Sequence, residues 1–376
     1  MSLRRIKKTK IALVTNFATH YRYPLFNLLS EFSKFDLYFF DDPARTKEDI
    51  EHLKIFKNEF SSCYHGLAGI LKAIIEKRYE IIIKCTNNKW SFIGSFLVAK
   101  LIRAKFIVWH SIWYYPRTAQ YRFFSRLFVK ILKDYADAIL VYGEHGRRFL
   151  INNRVSPKKI FVAWQTVDNR LYGRSVGRGE LAVTSSALGI SARKKIELYV
   201  GRFVVQKGIC YLLRALGMLD KTKFVFVAIG DGNLKHQIRN YCDINQIEYR
   251  LLGIVPYSNL VYYYKLATLL VLPSVTTRTF KEPWGLVVNE AFNQGCPVVV
   301  TDAVGAGVGG LVKNGENGLV IPERNVDALA GAIDMILSDT NLRKAMSKNA
   351  LEDIKSWTYD RQSKGFLDAI EYCLKM

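Results

Sequence analysis

Two α/β domains, each a doubly wound parallel sheet, are what this sequence predicts, and three observations carry the prediction. Short apolar runs of strand length alternate with stretches of helical period, the rhythm of βα units. That rhythm runs twice, interrupted over 172–195 (YGRSVGRGELAVTSSALGISARKK), where periodicity lapses while glycine, serine and charge rise. The length of 376 residues exceeds one usual domain and suffices for two cores.

The first series opens with Lys10 to Asn16 (KIALVTN) as a buried strand and continues through a loop into YRYPLFNLLSEF. There Pro24 suits a first helical turn, and Leu25, Leu28 and Leu29 share a face. Asp36 to Phe40, Glu80 to Ile83 with Lys84, Ala104 to His110 and Ala138 to Tyr142 read as further strands separated by helical stretches. In Tyr121 to Asp137, Phe124, Leu127, Phe128, Ile131 and Leu132 gather on one helical face, with Arg122, Arg126, Lys130 and Lys133 largely on others. The reading adopted is a helix packed on the sheet with solvated cations; its alternative is contact with an anionic membrane surface.

The second series runs through strands at Ile196 to Val200, Phe224 to Ile229, Tyr249 to Leu252, Leu269 to Leu272 and Pro297 to Thr301, with helices over Ile209 to Leu219 and from near Asn233. The expected organisation is a first domain over 1–171, a linker over 172–195 and a second domain over 196–354. No short internal repeat and no low-complexity tract occurs.

Composition narrows the class. The apolar fraction of 49% and mean hydropathy of +0.02 suit a globular chain, and no apolar run has bilayer-spanning length. The basic start MSLRRIKKTK leads straight into the strand-like IALVTNF, which is no signal-peptide core, so a cytoplasmic location is expected. Cys63, Cys85, Cys210, Cys242, Cys296 and Cys373 form no C-x-x-C pair and no zinc spacing, so they read as buried, reduced thiols. Net charge is +22, concentrated early: 30 Lys and Arg against 14 Asp and Glu up to Arg170, then 25 against 19. Such a surface attracts anionic membrane, nucleic acid or phosphorylated substrates.

Chemistry concentrates in Phe280 to Pro297 (FKEPWGLVVNEAFNQGCP). Pro283 keeps Glu282 extended on a loop, and Gly285 opens the apolar run that carries Glu290 onto a helix. The start of such a helix, at the mouth of a parallel sheet, suits an anion. Upstream, Val200-Gly201-Arg202 and Lys207-Gly208 lie between a strand and a helix, which brings both cations toward the carboxyl end of the sheet. Arg grips phosphate oxygens in a fork and Lys adds a point charge. Gly230-Asp231-Gly232 is a glycine turn after a strand, a weak signal by itself.

E-P-W-G-L-V-V-N-E, with seven residues between its glutamates, resembles the signature of the retaining glycosyltransferases of family 4, and V-G-R with its downstream K-G, G-D-G, Gly253-Ile254-Val255-Pro256 and Tyr263 to Ser274 follow in that family's order. The resemblance implies the two-domain GT-B fold, two Rossmann-like domains facing each other across a cleft, with the helix over 355–376 returning toward the first. It implies Arg202 and Lys207 on the donor diphosphate, Glu282 orienting the transferred sugar and Glu290 on the ribose. Gly201, Gly230, Gly232, Gly253 and the amides near Trp284, Gly285 and Leu286 would line the donor site. His110, ending the strand FIVWH, matches by position a histidine that contacts the donor sugar. His20, Tyr21 and Arg22, in a loop (FATHYRYP) without the paired glycines of many relatives, are acceptor-side candidates.

The implied reaction moves a sugar from a UDP- or GDP-sugar to an acceptor hydroxyl with retention, in assembly of a surface polysaccharide or lipid-linked oligosaccharide at the inner membrane face. No cofactor and no metal is expected: the chain has no Asp-x-Asp triplet, and cations take the ion's place. Two competing readings are a nucleotide-sugar epimerase of the same fold and a basic nucleic-acid-binding protein. Against the latter, cations are spread over many elements and no nucleic-acid module is recognisable.

Overall fold

The computed structural model describes residues 6–16, 19–40, 66–115, 119–191 and 193–376. Cys63, the basic start as far as Arg5, and Phe17 and Ala18 of the first loop lie outside the described residues, as do the side chains of Arg122 and Phe124. The chain divides into two units. One gathers residues as far as Tyr115, Ala119–Thr166 and Thr358–Met376, and the other is Val167–Trp357.

In the first unit the described strands are β1 (Lys10–Thr15), β2 (Lys34–Phe39), β3 (Ile81–Cys85), β4 (Lys105–His110), β5 (Ala138–Val141) and β6 (Ile160–Val162), all parallel in the order β2-β1-β3-β4-β5-β6. Between them run α1 (Tyr23–Phe32), α2 (Gly66–Lys77), α3 (Lys89–Leu101), α4 (Ala119–Asp134) and α5 (Glu144–Asn152). Strands covered on both faces are mostly apolar, and β3 (IIIKC) is buried throughout, its one charged residue Lys84 donating to the Cys85 carbonyl at 2.7 Å. The basic helix α4 packs by its second half. Ile131 and Leu132 are buried and Phe128 lies 4.8 Å from Phe92, while Phe123 and Leu127 nearer its start are exposed.

The second unit holds β7 (Lys195–Val200), β8 (Phe224–Ile229), β9 (Tyr249–Leu251), β10 (Leu269–Leu272), β11 (Val298–Thr301) and β12 (Gly318–Ile321), again parallel, in the order β12-β11-β10-β7-β8-β9. Its helices are α6 (Asn169–Tyr172), α7 (Arg178–Leu188), α8 (Ile209–Gly217), α9 (Lys235–Ile244), α10 (Leu260–Leu266), α11 (Val287–Phe292), α12 (Gly305–Val308), α13 (Val326–Ser338) and α14 (Thr340–Ile354). The core on one face gathers Leu212, Leu213, Phe224, Phe226, Ile238 and Ile333.

The expected linker over 172–195 is corrected here: those residues belong to the second unit and contain α7. Only Leu188 of that helix is buried, so it shows little apolar stripe. Its ends hold it instead. Glu180 accepts from the Gly177 N–H at 2.8 Å and from the Tyr262 hydroxyl at 2.9 Å, and Arg250 donates to the carbonyls of Leu188 and Gly189 at 2.6 and 2.9 Å. The chain then re-enters the first unit as α15 (Tyr359–Lys375). Phe366 meets the Trp109 ring edge to face at 5.0 Å, and the Tyr359 hydroxyl donates to the Tyr21 carbonyl at 2.7 Å.

Candidate functional site

In the second unit the strand order reverses between β7 and β10, and the loops leaving their carboxyl ends form the crevice where open α/β sheets bind ligands. After β7 come Gly201, Arg202 and the turn to Lys207-Gly208; after β10 come Pro273 and Ser274. The two loops are joined closely. Gly208 has φ +71°, and a Cβ there would stand 1.8 Å from the Pro273 carbonyl oxygen, so only glycine fits. Val275 N–H donates to the Gln206 carbonyl at 3.0 Å.

Glu282 reaches this junction from the loop before α11. Its Oε2 accepts from Lys207 Nζ at 2.5 Å and from the Ser274 hydroxyl at 3.1 Å, with both charged side chains largely buried. Its main chain pairs with Val304 beyond β11, and Gly305 N–H donates to its carbonyl at 3.2 Å. One carboxylate is thus fixed by a cation and a hydroxyl from two different strand ends. Arg202 stays exposed beside it, its carbonyl accepting from the Tyr199 hydroxyl at 2.9 Å.

Glu290, on α11, is buried. It accepts from the Tyr264 hydroxyl at 2.6 Å, with Tyr172 as a second hydroxyl neighbour, and burial pushes its carboxyl up to about 7 against the smaller opposing effect of these two hydroxyls. Trp284 is buried with its indole N–H on Asn289 Oδ1 at 2.7 Å and its ring 5.3 Å from Trp357. The helix that follows Gly285 and Leu286 has only six residues, so few peptide dipoles add up at its start.

The glycine turn packs closely on the neighbouring loop. A Cβ on Gly230 would lie 2.0 Å from the Gly201 carbonyl oxygen and one on Gly232 would lie 2.4 Å from that of Phe203. These glycines let the turn after β8 pack against the loop after β7; the space they leave is filled by protein. Gly253 accepts from Gly230 N–H at 2.7 Å and extends the same contact to β9.

In the first unit His110 ends β4 and is buried. It is 1% exposed, stacked near Phe128 and Phe149 at 5.5 and 6.3 Å, and lines an apolar cavity of about 290 Å³ with Phe92, Ile112 and Ile131. Burial lowers its imidazole to about 3, so it is neutral at physiological pH. The sugar-contacting histidine expected there is an enclosed, uncharged ring. Tyr21 and Arg22 line a separate polar cavity of about 120 Å³ at the carboxyl end of the same sheet, whereas His20 packs edge to face on Tyr21 at 5.6 Å.

The sequence model of the family described as Glycosyl transferases group 1 matches residues 184–353. This stretch is a group 1 glycosyl transferase domain. It begins inside α7, in keeping with the helix belonging to the second unit, and it contains Gly201, Arg202, Lys207, Gly230, Gly232, Gly253, Glu282 and Glu290. Two glycosyltransferases of Methanocaldococcus jannaschii, both named as uncharacterized, are 32% identical over 197 and 231 residues; the chain spans about half of one relative's length and 63% of the other's. A D-inositol 3-phosphate glycosyltransferase of Corynebacterium aurimucosum is 29% identical over 61% of this chain and 55% of its own. Among solved structures, Anabaena HepE in complex with UDP and glucose matches with a TM-score of 0.78 over 96% of this chain and 99% of that one, at 16% identity. The group 1 domain and its partner unit together have the GT-B fold.

Sequence reasoning placed Lys207 and Glu282 in one site but did not pair them, because 75 positions separate them. Tyr264 and Ser274 lay within a family-like segment without assigned roles, and Tyr172 stood at the edge of the supposed linker. Hydroxyls opposite a buried glutamate leave no periodic signal.

Proposed function

We propose that the protein transfers a sugar from a nucleotide-sugar to an acceptor hydroxyl with retention at the anomeric carbon. The observation that carries this reading is the Lys207–Glu282–Ser274 cluster at the strand reversal of the group 1 domain, with Arg202 exposed beside it. A donor diphosphate drawn to Arg202 and Lys207 meets two cations that stabilise the charge growing on the leaving group. Glu282, fixed by its two partners, orients the sugar hydroxyls, and Glu290 accepts from the ribose. The bond from the anomeric carbon to the leaving phosphate oxygen breaks with its electron pair going to the diphosphate. The acceptor oxygen bonds on the same face, and its proton passes to the departing phosphate. No metal step is invoked, since the cations serve that purpose. HepE's complexes with UDP and UDP-glucose favour a uridine donor. The basic first unit favours an acceptor on or near an anionic surface, as in lipid-linked oligosaccharide assembly.

The test is thermal shift and hydrolysis with UDP-glucose, UDP-N-acetylglucosamine and GDP-mannose, in EDTA and then with magnesium. A rise in melting temperature with one base, unchanged by EDTA and lost in Lys207→Met, is expected. An inverted product by NMR, or a strict need for metal, would overturn the mechanism.

A further inference from the structure

The polar cavity at the carboxyl end of the first unit's sheet has an unusual balance of charge and hydrogen-bonding groups. It opens where β1 and β3 lie side by side, the strand-order reversal of that unit. Among the described residues no carboxylate lines it. Arg22, always protonated, places NH1 on the Thr15 hydroxyl at 3.0 Å and its guanidinium 4.9 Å from the Trp109 ring centre. Among the described residues no acidic side chain pairs with it, and its Nε has neither solvent exposure nor a hydrogen-bond partner. The indole N–H of Trp109, a residue 1% exposed, is likewise without a partner.

The neutral groups on the rim are biased the same way. Asn16 Oδ1 accepts from the Thr15 hydroxyl at 3.2 Å, and Asn87 Oδ1 accepts from Lys84 Nζ at 3.3 Å. Both amide oxygens are thus already engaged inside the protein. Thr86 and Ser111 share one hydrogen bond at 3.2 Å, which leaves one of the two hydroxyl protons to point elsewhere. A guanidinium enclosed without a counter-charge costs stability, and that cost is offset by a ligand that carries negative oxygen.

We infer that this cavity binds an oxyanion borne by the acceptor, a phosphate ester or a carboxylate, held by the Arg22 guanidinium over the Trp109 ring, with Asn16, Thr86, Asn87 and Ser111 around it. The inference rests on the transferase reading and deepens it: the acceptor is an acidic molecule, and its charge positions the hydroxyl that receives the sugar. The D-inositol 3-phosphate glycosyltransferase among the relatives is named for an acceptor of that chemistry.

Inorganic phosphate and acetate serve as probes, titrated into the full-length protein against chloride at equal ionic strength. Thermal shift and the indole N–H resonances of ¹⁵N-labelled protein are the readouts, with Trp109→Phe assigning the signal. Phosphate, acetate or both should raise the melting temperature and move the Trp109 resonance, and which probe acts tells phosphate ester from carboxylate. Binding should weaken about tenfold or more in Arg22→Gln, as expected for loss of a charge-assisted fork. Thr86→Val, which leaves the guanidinium in place, should weaken it by less and guards against misfolding of the first variant. The UDP-dependent shift should be unchanged in both. Equal responses in wild type and Arg22→Gln, or a Trp109 resonance that does not move, would overturn the inference. A UDP response without any phosphate or acetate response would also overturn it while leaving the transferase reading intact. An anion response without a UDP response would uphold the oxyanion site and remove the transferase reading.

Discussion

At the scale of single residues, the protein keeps three carboxylates out of water in three ways. Glu282 is paired with Lys207, Glu290 is hydrogen-bonded to Tyr264, and Glu197, in the middle of β7, has no partner for either oxygen. Lys207→Met should therefore destabilise the protein by about 3–5 kcal/mol, since it strands a buried charge, and adding Glu282→Leu should restore much of the loss in a urea double-mutant cycle. Glu197 is pushed well above the usual carboxylate range by burial alone. Its unfolded form ionises first as pH rises, so stability falls above the ordinary glutamate range, and Glu197→Met should raise the melting temperature more at pH 8 than at pH 5. Glu290, raised to about 7, behaves in the same sense: the free protein loses about 3 kcal/mol from this group as pH climbs from 4 through 7 and above. On the transferase reading donor affinity moves oppositely, strengthening as the carboxylate ionises, and Glu290→Gln should flatten that pH profile in calorimetric titration.

At the scale of elements, the buried strands were legible because a strand covered on both faces is mostly apolar, as in β8 (FVFVAI) and β11 (VVVT). The helix α7 was not legible, because its Ala, Ser and Thr residues form no stripe and its stability comes from Arg250 and Tyr262, more than sixty positions away. The site was legible in composition and less so in geometry. Lys207 and Glu282 meet at the ends of two strands, Gly230 and Gly232 pack closely on the loop after β7, and His110 is enclosed among aromatic rings. A lone histidine at a strand end does not reveal which neighbours will cover it. The junction of the loops after β7 and β10 is the element most sensitive to change. Gly208→Ala combines a left-handed backbone with a 1.8 Å overlap on the Pro273 carbonyl. It should cost more than about 3 kcal/mol and, on the transferase reading, weaken donor binding, read by urea denaturation and titration.

At the scale of the whole molecule, the group 1 domain is a continuous stretch, whereas the first unit is assembled from separate segments and includes α15. That helix buries Phe366, Ala369, Ile370 and Cys373, and a Cβ on Gly365 would lie 2.3 Å from the Val162 carbonyl oxygen, so helix and strand end are in direct contact. Removing 359–376 should melt the first unit at a lower temperature and leave a second calorimetric transition, which on the transferase reading the nucleotide donor still raises. Loss of both transitions together would show that the two units fold as one.

The route of α15 also sets an order of events during synthesis. The ribosome delivers every residue of the group 1 domain before it delivers α15, so the later-placed half of the protein can be complete while the earlier half still waits for its closing helix. Until α15 arrives, the aromatic surface around Trp109 is without its cover, and the nascent chain is at that stage a client for whatever holdase guards exposed apolar surface.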